Sequence, residues 1–188
     1  MNMTADPRGS NAQSSMDFKD GRSMKVVLVA HCVLNQNARL ARCAERPAAV
    51  TELIDGLMDR EVGIVQMPCP ELIAIGLDRE GVPIRHELDL PRCRADLRRM
   101  AGELVRQIVR YRGCGVRVLG VLGKNGSPAC GVERTHDDMG FREGMGAFVE
   151  ELAAELKAQG VSIPLAGILD DQPAAALRAV DEWLGPGD

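Results

Sequence analysis

Cysteines stand at positions 32, 43, 69, 93, 114 and 130 of this 188-residue chain. No two are spaced as C-x-x-C, which argues against zinc ribbons, thioredoxin-like motifs and ferredoxin-type cysteine runs. Any shared site must therefore be assembled by the fold. Cys32, Cys69 and Cys130 differ from the rest because each follows a short apolar run that reads as a strand. Three thiolates without an obvious fourth suit a catalytic zinc with an open position or an iron-sulfur cluster with one iron free of protein. An all-sulfur set suits the cluster better, because catalytic zinc usually recruits His or a carboxylate as well. Three thiols with no metal at all is the third reading, and a hydrolase using Cys69 as nucleophile beside Glu71 belongs to it.

Cys69 is the most constrained of the three. In Met67-Pro68-Cys69-Pro70-Glu71 two prolines fix their own φ and push the residues before them into extended backbone, so the thiol loses most of its conformational choice. A metal ligand benefits from such stiffening, since its ordering entropy is lost before the metal arrives.

The elements that must position these residues alternate. Val26–Ala30 is a continuous apolar run of the kind buried on both faces of a parallel sheet, and it ends at His31-Cys32. An amide-rich loop follows, and then Val50, Leu53, Ile54, Leu57 and Met58 predict a helix over about Pro47 to Arg60. Gly63–Met67 is a second buried strand running into Cys69. Residues 72–92 read as irregular, a length that often covers a site. The stripe Leu97, Met100, Ala101, Leu104, Val105, Ile108 predicts a long helix over Arg94–Arg112 with arginines on a solvated face, closed by Gly113 and Gly115. Val116–Leu122 supplies a third strand before Cys130. Phe141, Met145, Phe148, Val149, Leu152 and Leu156 predict another amphipathic helix with core aromatics, ending near Gly160, and Ile163–Leu169 a fourth strand. A last helix opens at Asp170-Asp171-Gln172-Pro173. The expectation is an α/β fold: a single-domain, Rossmann-like parallel sheet of about four to five strands with helices on both faces. The carboxyl ends of parallel strands share one edge, where such folds bind ligands, so the three cysteines should converge there.

Residues 1–22 are polar and Gly/Ser/Asn-rich, a composition that cannot repay ordering, and they read as a disordered tail before a domain spanning 23–188, with Met24 a candidate original start. Hydrophobic residues at 45%, charged at 27% and aromatics at only 3% imply an ordinary globular protein with an aliphatic core. A net charge of -4 without basic-aromatic clusters suggests neither a nucleic-acid groove nor an anionic membrane surface. No apolar run has the length of a membrane span, and no signal-peptide core is evident, so a cytoplasmic setting is expected. There thiols stay reduced and a disulfide framework is not expected. Gly120–Asn125 lacks the spacing and hydroxyl residue of a Walker A loop, and Asn125-Gly126-Ser127 carries no weight as a glycosylation acceptor without secretion.

Three segments together carry a resemblance. His31-Cys32-Val33-Leu34-Asn35, Pro68-Cys69-Pro70-Glu71 and Ser127-Pro128-Ala129-Cys130-Gly131 resemble the three cysteine motifs of the 2-thiouracil desulfurase family, over about residues 24 to 170. The first departs from the family's Ser-Ala-Cys-Leu-Leu-Gly type, having Ala30-His31-Cys32-Val33-Leu34-Asn35, which is similar to a related branch. The resemblance implies a small α/β domain with a 4Fe-4S cluster on Cys32, Cys69 and Cys130, the fourth iron taking sulfur from a thiolated substrate. It carries the cluster over better than the substrate.

An iron with an open position is a Lewis acid for the sulfur of a C=S group, and water attack with departure of sulfide then needs proton transfer. Glu71 is the leading general acid or base, two residues from a ligand. Ser127 is a candidate to orient water or hold the leaving sulfur, although Ser before Pro also makes turns. Asn35 and Asn37 could read a heterocycle's amide edge, against the alternative of satisfying local backbone. His31 adjoins a ligand and is a candidate donor to substrate; His136 is a weaker one, and His86 weaker still. Cys43, Cys93 and Cys114 read as ordinary free thiols. The expected partner is a small thiolated compound, self-association as a homodimer is left open, and the competing class is a non-catalytic iron-sulfur sensor or carrier.

Overall fold

The computed structural model describes residues 20–186, so most of the expected tail lies outside the described residues. In chain order the elements are β1 (Lys25–Val29), α1 (His31–Leu34), α2 (Thr51–Asp59), β2 (Gly63–Gln66), α3 (Pro70–Ala74), α4 (Ile84–Asp89) and α5 (Pro91–Gly113). There follow β3 (Arg117–Lys124), β4 (Arg134–Asp137), β5 (Gly140–Glu143), α6 (Ala147–Ala158), β6 (Leu165–Ile168) and α7 (Pro173–Leu184). β2, β1, β3 and β6 lie side by side in that order, all parallel, as the alternating pattern predicts. The crossovers β1→β2 and β2→β3 leave β1 in opposite directions across the sheet. Right-handed connections then put α2 and α5 on opposite faces. Accordingly α7 packs beside α2, and α6 beside α5.

β3 is one of the two inner strands with β1 and is buried at every position after Arg117, which explains its apolar run. The core is aliphatic: Val27, Leu28, Val29 and Leu122 of the sheet meet Leu53 and Leu57 of α2, Leu97 and Ile108 of α5, and Phe148 and Leu152 of α6. Registers Val29↔Gln66, Val29↔Leu122 and Lys124↔Ile168 bring the carboxyl ends of all four strands level. Every segment leaving those ends enters the same edge.

Three expectations need correction. Residues 72–92 are not wholly irregular, since α3 ends and α4 forms within them. The helix expected from Phe141 starts only at Ala147, because 134–143 forms the antiparallel hairpin β4–β5; Phe141 lies on β5 and is exposed, not core. The arginine face of α5 is not all solvated. Arg94 donates to Asp89 and reaches across to Glu150, Glu151 and the Ala147 carbonyl of α6, tying the two helices together. Among the described residues, no helix is long and apolar enough to cross a membrane.

Candidate metal centre and its cavity

The strand order reverses direction at β1, and a crevice at the carboxyl ends of the strands is expected beside such a switch point. A cavity of about 350 Å³ lies there, lined among others by Cys32, Cys69, Cys130, Glu71 and Ser127. Each cysteine is set by its own local geometry. β1 runs through Ala30, whose N–H donates to the Leu122 carbonyl at 2.9 Å, and the chain then coils into the single turn α1 that carries Cys32. Cys69 is the N-cap of α3, with Pro70 at the first helical position, and its Sγ accepts the Leu72 N–H at 3.5 Å. The two prolines thus lead from strand to helix start, the restricted geometry that their sequence requires.

Cys130 sits in a tight loop after β3. Ser127 Oγ accepts the N–H groups of Ala129 and Cys130 at 3.1 and 3.0 Å, and the Cys130 carbonyl accepts the Lys124 N–H at 2.8 Å. Two glycines let the loop close. A Cβ at Gly131 would stand 2.2 Å from the Arg134 carbonyl oxygen, and one at Gly123 2.5 Å from that of Cys130. Because the obstacles are backbone, Gly131→Ala is expected to destabilise the fold by about 1–3 kcal/mol, read as a lower thermal midpoint by circular dichroism.

Burial pushes all three thiols up: Cys69 to about 11, Cys130 well above the usual range, and Cys32 upward against the opposing pull of the adjacent Arg39. In Cys69 and Cys130 mutual repulsion among the thiolates and Glu71 adds to burial. That is the reverse of what a nucleophilic cysteine needs. A cation bound there would have to displace the proton of each thiol. Among the described residues, no group of three or more His, Cys, Asp or Glu side chains is gathered to hold one metal ion. A cluster asks for cysteines around a cavity, each on its own iron, and three soft sulfur donors on three strand ends fit that donor chemistry.

Glu71 joins the second and third motifs. Its Oε1 accepts from Ser127 Oγ at 3.0 Å, while Oε2 accepts from Arg79 Nε and Nη2 at 3.2 and 3.1 Å. Arg79, 2% exposed, also donates to the carbonyls of Ala38, Gly76 and Leu77. One guanidinium therefore fastens the first-motif loop, the α3–α4 segment and the carboxylate together.

A second buried cluster lies beside Cys32. Asp170, two residues beyond β6 and fully buried, meets Arg39 Nη1 at 2.7 Å, Lys124 Nζ at 3.2 Å and Gln36 Nε2 at 3.3 Å. Two cations share this one carboxylate, both line the cavity, and Arg39 Nη2 is buried with no hydrogen-bond partner among the described residues. Sequence reading missed Arg39, Arg79, Lys124 and Asp170 as site residues.

His31 lines this cavity and a neighbouring one of about 290 Å³ beside Gln66 and Glu103. Gln66 Nε2 lies 2.9 Å from His31 Nδ1, and the ring's Nε2 is buried with no hydrogen-bond partner among the described residues. Burial pushes the imidazole down, toward its neutral form. The structure does not bring Asn35 and Asn37 to the cavity. Asn35 Oδ1 accepts both the backbone and the side-chain N–H of Asn37 at 3.1 Å, so the two satisfy local backbone at a 3-10 turn. His86 and His136 are exposed and likewise do not line it. Cys43 does, at the exposed mouth, its carbonyl accepting from Arg39 Nη1 at 2.7 Å. Iodoacetamide at pH 8 is expected to label Cys43 and the exposed Cys114 of metal-free protein well before Cys32, Cys69 and Cys130. Labelling at Cys69 should accelerate as pH rises toward 11, followed peptide by peptide by mass spectrometry.

No family model matches the chain. Among curated proteins it is 27% identical over 111 residues, 59% of this chain and 70% of the other, to an uncharacterized protein, MJ0003, of Methanocaldococcus jannaschii. Among solved structures it is similar to the [4Fe-4S]-dependent thiouracil desulfidase TudS, with a TM-score of 0.46 and 24% identity, covering 82% of this chain and 98% of that one.

Proposed function

We propose that this chain is an iron-sulfur-dependent desulfidase that removes sulfur from a small thiolated compound, a thiolated nucleobase or similar heterocycle. The observation that carries the reading is that Cys32, Cys69 and Cys130 line one cavity together with a hydrogen-bonded Glu71–Ser127 pair. The three cysteines would hold a 4Fe-4S cluster, which when bound supplies a Lewis-acidic iron for the sulfur of a C=S group. Proton handling falls to Glu71, whose carboxylate oxygens accept from Ser127 and from both Arg79 nitrogens. Its place on the cavity wall beside the cysteines is what assigns it the proton of attacking water. The Ser127 hydroxyl is fully engaged, with one donated bond and two accepted ones, so its proton can pass only to Glu71 while the Ala129 and Cys130 N–H groups hold the oxygen. Arg39, beside Cys32, and Lys124 favour an electron-rich edge of the substrate. A reducing, cytoplasmic setting is part of this reading.

The test is iron and acid-labile sulfide content of anaerobically reconstituted protein, with sulfide release from thiolated heterocycles. The wild type should hold a cluster and release sulfide, and Cys32→Ala, Cys69→Ala and Cys130→Ala should each lose the cluster. A full cluster in all three variants would overturn the ligand assignment. A stable cluster with no turnover of any thiolated heterocycle would replace the enzyme by a carrier or sensor.

A further inference from the structure

Phe141 is poorly placed for an aromatic side chain that serves packing alone. The chain has three Phe, one Tyr and one Trp. Phe148 is fully buried, whereas Phe141 is 68% exposed and is the one Phe, Tyr or Trp of the described residues on the cavity wall. Exposure here does not mean freedom. His136 meets the ring edge-on, with centroids 5.0 Å apart and planes at 80°, and the Arg134 guanidinium carbon lies 5.8 Å from the ring centre. Against the ring lies Gly126, in the left-handed region at φ 81, where a Cβ would come within 2.9 Å of Cε1. The hairpin thus places an apolar ring against the third-motif turn, on the wall of the cavity that the three thiols also line. The part of the ring that stays exposed leaves apolar area in water, and a flat partner laid on it would recover that area together with a stacking contribution. The same cavity is lined by Arg39 and Lys124, cationic donors suited to ring oxygens or ring nitrogens with lone pairs.

We propose that Phe141 is the stacking platform that selects a planar, conjugated cyclic thioamide, the thiolated pyrimidine or purine type, over acyclic thioamides that have no ring to lay on it. This inference rests on the desulfidase reading and deepens it. The hairpin β4–β5 is then the specificity element, and the three cysteines with Glu71 are indifferent to ring shape.

The experiment uses the full chain, prepared anaerobically, with 2-thiouracil and thioacetamide as probes. Binding is measured by calorimetry, KM and kcat by sulfide release, and folding by thermal midpoint and iron content. Phe141→Ala should weaken 2-thiouracil binding by roughly tenfold or more, the order expected for loss of one base–aromatic stack. It should raise KM far more than it lowers kcat, and leave iron content and thioacetamide unchanged. Phe141→Tyr and Phe141→Trp should retain binding; Phe141→Leu, apolar without a π face, should not. Equal 2-thiouracil affinity in Phe141→Ala and wild type would overturn the platform while leaving the desulfidase reading intact. So would preferential turnover of thioacetamide by the wild type. Absence of both iron and sulfide release in the wild type would overturn the desulfidase reading, and the platform with it.

Discussion

Glu71→Gln is expected to lower sulfide release by about a hundredfold or more while iron and acid-labile sulfide stay at wild-type levels. The replacement keeps the shape of the side chain and an oxygen for Ser127 or Arg79, but removes the capacity to take a proton. Proton transfer by a positioned side chain typically contributes two to four orders of magnitude, so a loss of only a few-fold would remove Glu71 from the reaction. Cluster content is the decisive control. Glu71 is two residues from Cys69 and bonded to Ser127, whose hydroxyl holds the Cys130 turn, so a misplaced third motif would appear as lost iron. Lost activity with retained iron isolates the proton step.

Arg79→Met should have the largest effect on stability, about 3–5 kcal/mol in urea or guanidinium unfolding. The guanidinium is 2% exposed, and its removal leaves the Glu71 carboxylate with only Ser127, and the Ala38, Gly76 and Leu77 carbonyls each short of a donor. Arg79→Lys preserves the charge but not the fork that reaches four acceptor groups, and should recover only part of the loss. In the double variant Glu71→Gln with Arg79→Met, the unpaired carboxylate disappears, so the two losses should add to less than their sum. Destabilisation by Arg79→Met of under 1 kcal/mol would mean that the pair is effectively solvated.

The four-stranded parallel sheet was legible because buried strands and amphipathic helices alternate with little interruption, and the placement of Cys32, Cys69 and Cys130 followed from that topology alone. The strand-end rule that singled out the cysteines, applied to the fourth strand, would also have reached Asp170. It was passed over because an aspartate before Pro173 reads first as a helix start. Arg79 gave no signal, since it lies between two short helices in a segment without periodicity and its importance comes from acceptors distant in sequence. Phe141 was misassigned because Phe141, Met145, Phe148 and Leu152 keep helical spacing, while glycines at 140, 144 and 146 favour a hairpin and a late helix start. Asn35 and Asn37 illustrate the opposite error: polar residues near a site that spend their hydrogen bonds on each other.

The buried aspartate after the last strand has a consequence for the order in which the molecule is completed. Gln36 and Asp170 are 134 positions apart, whereas Ser127 and Glu71 are separated by 56. A nascent chain that has emerged as far as Cys130 already carries all three candidate cysteines, yet Arg39 and Lys124 still lack their common counter-charge. Contacts of such long range form late, since the loop they close must first be ordered. On the proposed reading, cluster loading is thereby coupled to the end of synthesis: the cavity gains a finished wall only when the final strand and helix have docked.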